Sequence, residues 1–475
     1  MALSDPRYFI FLFVVAALLP LVPQGKLRLG AIASVSVCFY MAFSPIYAVI
    51  LAFVTLLAYT GAVKVDSIQP GRKRLIIFIA ILFGIFSPLL FFKYVPALLE
   101  TLPLQASGYK LNAIPRLVLP VGISFYTFLA AGYLIDVYVG IIRSEQGLIR
   151  FAAFMSFFPQ LTAGPIARST HLLPQLEALG NYDYARIVSG FRLLLIGMFM
   201  KVVIADSLAP LVDIVYTSPT KYARGDLFIA TFYFSFQVYA DFAGYSLLAI
   251  GSARLLGIEL LANFKQPYLS QTLPEYWRTW HISLSSWFRD YVFTPLHLQW
   301  RNLGKFGLVS ALIITFIIVG VWHGAGLKYA IFGLIHGVLV AGSTLTIKRR
   351  DKILKVLHVP KWLIVTSRTF ITFAIVTLSF VLFRANDNWD ANYIYRIFLF
   401  GDGADHTLPY VWPLFLIGIL IVGDLLAKRG WSWDRLPQAS RWIAYQIISL
   451  VILVFVVYRW TEHSVHMQHF IYFKF

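Results

Sequence analysis

The chain has 475 residues, of which 59% are hydrophobic and only 13% charged, and its mean hydropathy is +0.74. That composition excludes a soluble globular domain and predicts an all-α polytopic membrane protein. The formal charge of +18 does not describe a nucleic-acid binder, because no solvated basic stripe is present and the Lys and Arg residues stand in connections between apolar runs.

In chain order, about twelve apolar windows are long enough to cross the hydrocarbon core. They centre on Tyr8–Val22, Leu29–Phe43, Ile46–Val63, Leu75–Phe92, Leu117–Val139, Ile187–Ile204, Leu227–Ile250, Gly307–Val321, Leu327–Leu345, Trp362–Phe383, Val411–Leu426 and Trp442–Tyr458. The first has no basic flank before it and no small-residue cleavage site after it, so it reads as a retained span rather than a signal peptide. The run Arg150–Pro159 is too short to cross and reads as re-entrant or interfacial. Lys26 and Arg28, Lys64 with Arg72, Lys73 and Arg74, Arg143 with Arg150, Lys348 with Arg349 and Arg350, and Lys428 with Arg429 fall on one side of this arrangement. The positive-inside rule makes that side cytoplasmic. Glu100, Asp206, Asp213, Asp387, Asp390, Asp402 and Asp405 fall in the opposite loops, so both termini face outward and residues 252–306 face the cytoplasm. Cys38 is the one cysteine, which rules out an intrachain disulfide and a thiolate metal cluster. With no low-complexity tract, short-period repeat or detachable soluble segment, the expected organisation is a single membrane-embedded domain over residues 1–475.

Two features carry chemistry. The first is His323, in Val321-Trp322-His323-Gly324-Ala325 between two apolar runs. A buried imidazole is either hydrogen-bonded scaffolding or a working acid/base. The second is the polar, aromatic segment 252–306. Helical spacing there puts Trp277, Trp280, Leu284 and Trp287 on one face, with Arg278, His281 and Ser285 flanking it. Such a stripe fits an interfacial helix anchored by tryptophans, yet an anchor has little need of a histidine, two serines and the Arg289-Asp290 pair.

The runs Asn263–Tyr268 and Glu275–Tyr291, Val321–Ala325, Leu119–Phe125 and Phe158–Ile166, with the aromatic ending Phe470–Phe475, resemble the membrane-bound O-acyltransferase family, in its alginate O-acetylase-like branch. The resemblance runs from about Leu75 onward, with core motifs over residues 117–346. It implies a helical funnel with a thin floor, where a cytoplasmic acyl donor meets an extracytoplasmic hydroxyl. The family's principal catalytic histidine falls on His323 and its second motif histidine on His281. Candidate substrate contacts are Asn263, Gln266, Trp277, Arg278, Trp280, Ser283, Ser285, Arg289, Asp290, Trp322 and Asp241.

Acyl transfer to an alcohol needs the hydroxyl deprotonated as it attacks, a task for a positioned neutral imidazole such as His323. Gly324 and Gly326 would let substrate approach closely, and Trp322 would exclude water. Donors to the oxyanion could be His281, the indole N–H of Trp277 or Trp280, Arg278, or backbone amides. His336, over three turns beyond His323, reads as a helix–helix hydrogen bond. Asp241, an acid inside an apolar run, is expected to be paired or to face a cavity, and Tyr133 and Asp136 read as scaffolding. His463, His466 and His469 recur at helical spacing but lack a carboxylate or thiolate to complete a metal site, and no metal is expected.

The chain departs from the family pattern twice. Leu247 and Leu248 follow Gly-Tyr-Ser where many relatives carry an acid, and His297 and Leu298 follow Pro295-Leu296 where many carry paired glycines. The expected function is transfer of an acetyl group from cytoplasmic acetyl-CoA to an exported cell-surface polysaccharide, directly or through a periplasmic acetyltransferase partner, in a bacterial inner membrane. No tightly bound cofactor and no nucleic-acid partner are expected, and membrane lipids surround the protein. D-alanyl or lipid-headgroup transfer is the alternative. A transporter fits less well, because no inverted repeat is present and the polar elements concentrate between Asn263 and Gly326.

Overall fold

The computed structural model of the chain describes residues 2–101, 118–401 and 412–461. They are helical throughout, with no strand among the described residues. Two compact units are formed, Met1–Leu194 with Ser246–Ala262, and Leu195–Tyr245 with Asn263–Phe475.

The first unit contains α1 (Pro6–Leu18), α2 (Lys26–Met41), α3 (Pro45–Asp66), α4 (Arg72–Thr101), α5 (Ile123–Val139), α6 (Leu148–Ser156), α7 (Phe158–Leu161), α8 (Ser169–Gln175) and most of α9 (Tyr184–Met198). Proline opens α1 and α3 at positions where an amide hydrogen would have no helical partner, and the Asp5 carboxylate caps α1 by accepting from the Arg7 N–H at 2.9 Å. α3 packs on α4 and α5, and α2 on α6. The stretch read as re-entrant is the short helices α6 and α7, whose side chains are largely buried. Arg28 is a correction to the charge reading: it is buried inside α2 and donates to the carbonyls of Val22 and Leu179 at 2.9 and 2.8 Å, so it serves the fold rather than a cytoplasmic loop. Tyr133 Oη accepts the Glu145 N–H at 2.7 Å and Asp136 accepts from Ser169 Oγ at 3.2 Å, both scaffolding bonds.

The second unit holds the end of α9, α10 (Asp206–Thr217), the first two-thirds of α11 (Arg224–Leu255), α12 (Leu273–Thr279), α13 (Ile282–Phe288), α14 (Thr294–Gln299), α15 (Gly304–His323), α16 (Leu327–Val356), α17 (Lys361–Arg384), α18 (Asn388–Phe400), α19 (Pro413–Lys428) and α20 (Gln438–Thr461). α15 and α16 form a hairpin in near backbone contact. A Cβ on Gly320 would lie 2.2 Å from the Tyr329 carbonyl oxygen, and one on Gly333 would lie 2.2 Å from that of Phe316. Small residues of this kind replace the hydrophobic drive that lipid cannot supply.

Among the described residues, seven helical stretches are long and apolar enough to span a bilayer: Pro45–Asp66, Arg72–Leu99, Tyr184–Thr217, Arg301–His323, Leu327–Val356, Lys361–Arg384 and Gln438–Tyr458. Their outward faces carry exposed Ile76, Phe83, Phe370, Ile371, Ile443 and Leu450, a surface suited to lipid. The protein is a multi-span membrane protein. Of the five other expected spans, α1, α2, α5, α11 and α19 form helices of 13, 16, 17, 32 and 16 residues. Asp206 and Asp213, expected in an outward loop, lie within α10 instead. His463, His466, His469, Asp402 and Asp405 lie outside the described residues.

Candidate active site

The tryptophan-rich segment is not one helix. α12 stops at Thr279, and His281 takes a left-handed backbone (φ 44°) before α13 begins at Ile282. The break is held by backbone bonds to residues 263–265: Lys265 N–H donates to Thr279 O at 3.0 Å and Ile282 N–H to Asn263 O at 2.9 Å. This corrects the single amphipathic stripe. Trp277, Trp280, Leu284 and Trp287 are all buried, but two helices and a turn bury them against protein.

The turn aims His281 inward. Asn263 Oδ1 accepts from the Ser283 N–H and Oγ at 3.2 and 2.9 Å, and His281 Nδ1 lies 3.1 Å from the same oxygen. Because a backbone N–H can only donate, the atom it meets is the amide oxygen, and His281 Nδ1 must carry a proton. Nε2 is therefore the unprotonated nitrogen of the neutral ring. Burial pushes this imidazole down to about 3, far below its ordinary value, so it is uncharged at neutral pH.

His323 ends α15 and is 5% exposed. It lines a narrow cleft with Tyr276, Trp277, Trp280, Phe332 and Phe383, which has room for little more than a water-sized group. The Phe383 ring stands edge-on to the imidazole at 4.7 Å. Trp322 joins the two histidines, its ring centroid 4.5 Å from His323 and 6.4 Å from His281. The space beside Gly324 is not open to substrate: a Cβ there would lie 2.1 Å from the Tyr329 ring, which fills it.

His336 is fully satisfied. The Trp277 indole N–H donates to its Nδ1 at 3.2 Å, which leaves the proton on Nε2 to reach Ser379 Oγ on α17 at 3.0 Å. This is the expected helix–helix bond, and it also fixes Trp277 in the cleft wall.

Among the other candidates, Asn263 and Ser283 hold His281, Trp280 is stacked on Tyr276 at 5.5 Å, and Ser285 Oγ donates to Trp280 O at 3.1 Å. Arg278 is exposed, Arg289 and Asp290 form an exposed ion pair at 2.8 Å, and Gln266 caps the turn before Pro267 with φ 46°. Pro295 to Leu298 lie in the short helix α14. Asp241 is buried and pairs with Lys201 at 2.7 Å. Sequence reading missed Lys201, although a lysine inside an apolar run carries the same signal as Asp241. It also missed Asp424 on α19, which accepts from Tyr239 Oη at 3.0 Å.

The family model of membrane-bound O-acyltransferases matches residues 141–382, a stretch that contains both histidines and all of the cleft lining except Phe383. The chain is 33% identical to a probable alginate O-acetylase of Pseudomonas putida over 84% of this chain and 80% of that protein. The chain belongs to the membrane-bound O-acyltransferase family. This O-acyltransferase is also 32% identical to a peptidoglycan O-acetyltransferase of Helicobacter pylori, over 78% of the chain and 72% of the relative. A teichoic acid D-alanyltransferase of Streptococcus thermophilus is 31% identical over 62% of the acyltransferase and 76% of the relative.

Proposed function

We propose that the protein takes an acetyl group from acetyl-CoA on the cytoplasmic side of a bacterial inner membrane and passes it to hydroxyls of an exported cell-surface polysaccharide, directly or through a periplasmic acetyltransferase. The observation that supports this most is the pair of buried histidines on one tryptophan, one of them lining an aromatic cleft. His323 is the general base: its imidazole takes the proton of the acceptor hydroxyl while the oxygen attacks the thioester carbon. The C–S bond then breaks, and the thiolate leaves to be protonated as CoA. His281, neutral and held by Asn263, serves the donor side by fixing the thioester end of the chain. Its strongly lowered affinity for protons makes it a poor base but a steady hydrogen-bonding group. The exposed cations Lys265, Arg278 and Arg289 flank it in sequence and suit the phosphates of an anionic nucleotide thioester. The tight cleft excludes bulk water, which protects the thioester from hydrolysis.

The acetylating relatives favour acetyl over D-alanyl transfer. Inverted membrane vesicles loaded with polysaccharide and supplied outside with radiolabelled acetyl-CoA test the reading. Label should enter the polymer with the protein present. Label that stays on the donor, while a D-alanyl carrier thioester is consumed instead, overturns the acetyl assignment.

A further inference from the structure

Lys201 sits inside the span Tyr184–Thr217, 2% exposed, with its ammonium 2.7 Å from Asp206 Oδ1 and 2.7 Å from Asp241 Oδ1. In a regular α-helix, residues five apart do not share a face. Here residues 199–205 form a wider π-type turn in which Asp206 N–H bonds back to Lys201 O, and this brings Lys201 and Asp206 together. Asp241 arrives from α11, and three residues on, Gly244 lets the two backbones meet: a Cβ there would lie 2.8 Å from Gly197 O and 3.0 Å from Lys201 N. One face of α11 is thus locked by charge and by contact.

Its other face is the wall of the histidine site. Val238 lines the His323 cleft, Tyr239 packs on Trp280 at 6.1 Å, and Phe242 stands perpendicular to the His281 ring at 4.5 Å. A small slide or rotation of α11 would therefore move the surroundings of both imidazoles together.

We propose that the Lys201–Asp206–Asp241 cluster positions the acyl-transfer site, holding α11 at the depth and rotation that set Phe242 against His281 and Val238 against His323. The proposal rests on the reading of the two histidines as that site. The alternative is a cluster that only stabilises the fold. The two differ once charge is removed in balance, because replacing a whole buried ion cluster with neutral groups of similar shape often costs little stability, whereas removing one partner strands a charge.

The test compares the full-length protein with Lys201→Met and with Lys201→Met/Asp206→Asn/Asp241→Asn, all in nanodiscs. The readouts are thermal stability, kcat and KM for acetyl-CoA, and hydrogen–deuterium exchange over residues 236–246. The single variant should melt well below wild type and the triple variant near it. The triple variant should nonetheless lose about tenfold to a hundredfold in kcat with donor KM unchanged, as expected of misplaced reacting groups. Its α11 amides should exchange faster. A triple variant with wild-type kcat and wild-type exchange overturns the proposal, and so does one that fails to fold, since the cluster would then be holding the fold and not the site. If the wild type transfers no acetyl, the function reading fails instead. The exchange measurement still decides whether the cluster holds α11.

Discussion

His281 and His323 both approach the ring of Trp322, and the proposed function gives them different roles. His281 is locked in one neutral tautomer by Asn263, and burial makes its protonation costly. The unfolded chain binds a proton near pH 6.5 and the folded chain only near 3, so this residue's stability contribution is complete above 6.5 and is lost as pH falls towards 3. Melting curves at pH 7.5 and 5.0 should show a larger drop for wild type than for His281→Gln, and equal drops would contradict the buried neutral ring. His281, in a polar and aromatic segment, was singled out by its motif, whereas His323 was legible in the sequence because an imidazole amid apolar residues is costly and so marks itself. Lys201 carried the same signal, but its partner Asp241 stands forty residues away, and only the fold brings them together.

At the level of elements, long apolar helices were legible from periodicity and length, whereas breaks within them were not. Trp277 to Trp287 has helical spacing throughout, and the interruption at His281 comes from backbone bonds to residues 263–265 that no local pattern encodes. The glycines of the α15–α16 hairpin give an independent check. Gly320→Ala would press a methyl group into the Tyr329 carbonyl, and should destabilise the protein by about 1–3 kcal/mol as overpacked contacts do. Gly342→Ala, on the same hairpin but with nothing within 4 Å of the added atom, should be neutral or stabilising. Thermal melting in detergent distinguishes them, and equal effects would contradict the close approach.

For the whole molecule, the proposed function depends on sidedness, which sets the side from which donor and acceptor would approach. The basic end of α16 at Lys348, Arg349 and Arg350 is exposed, and the positive-inside rule assigns it to the cytoplasm. A reporter inserted after Arg350 should therefore behave as cytoplasmic, and one after Asn386, beyond the span Lys361–Arg384, as extracytoplasmic. The reverse pattern would invert the approach of donor and acceptor. The central claim is that His323 removes the acceptor's proton while His281 serves the donor, and it is tested most directly by measuring acetyl-CoA binding and single-turnover transfer side by side on purified His323→Ala and His281→Ala. His323→Ala should bind donor as wild type does and lose about a hundredfold or more in transfer, whereas His281→Ala should bind donor more weakly. If His323→Ala fails to bind donor while His281→Ala binds and transfers normally, the assignment of roles is contradicted.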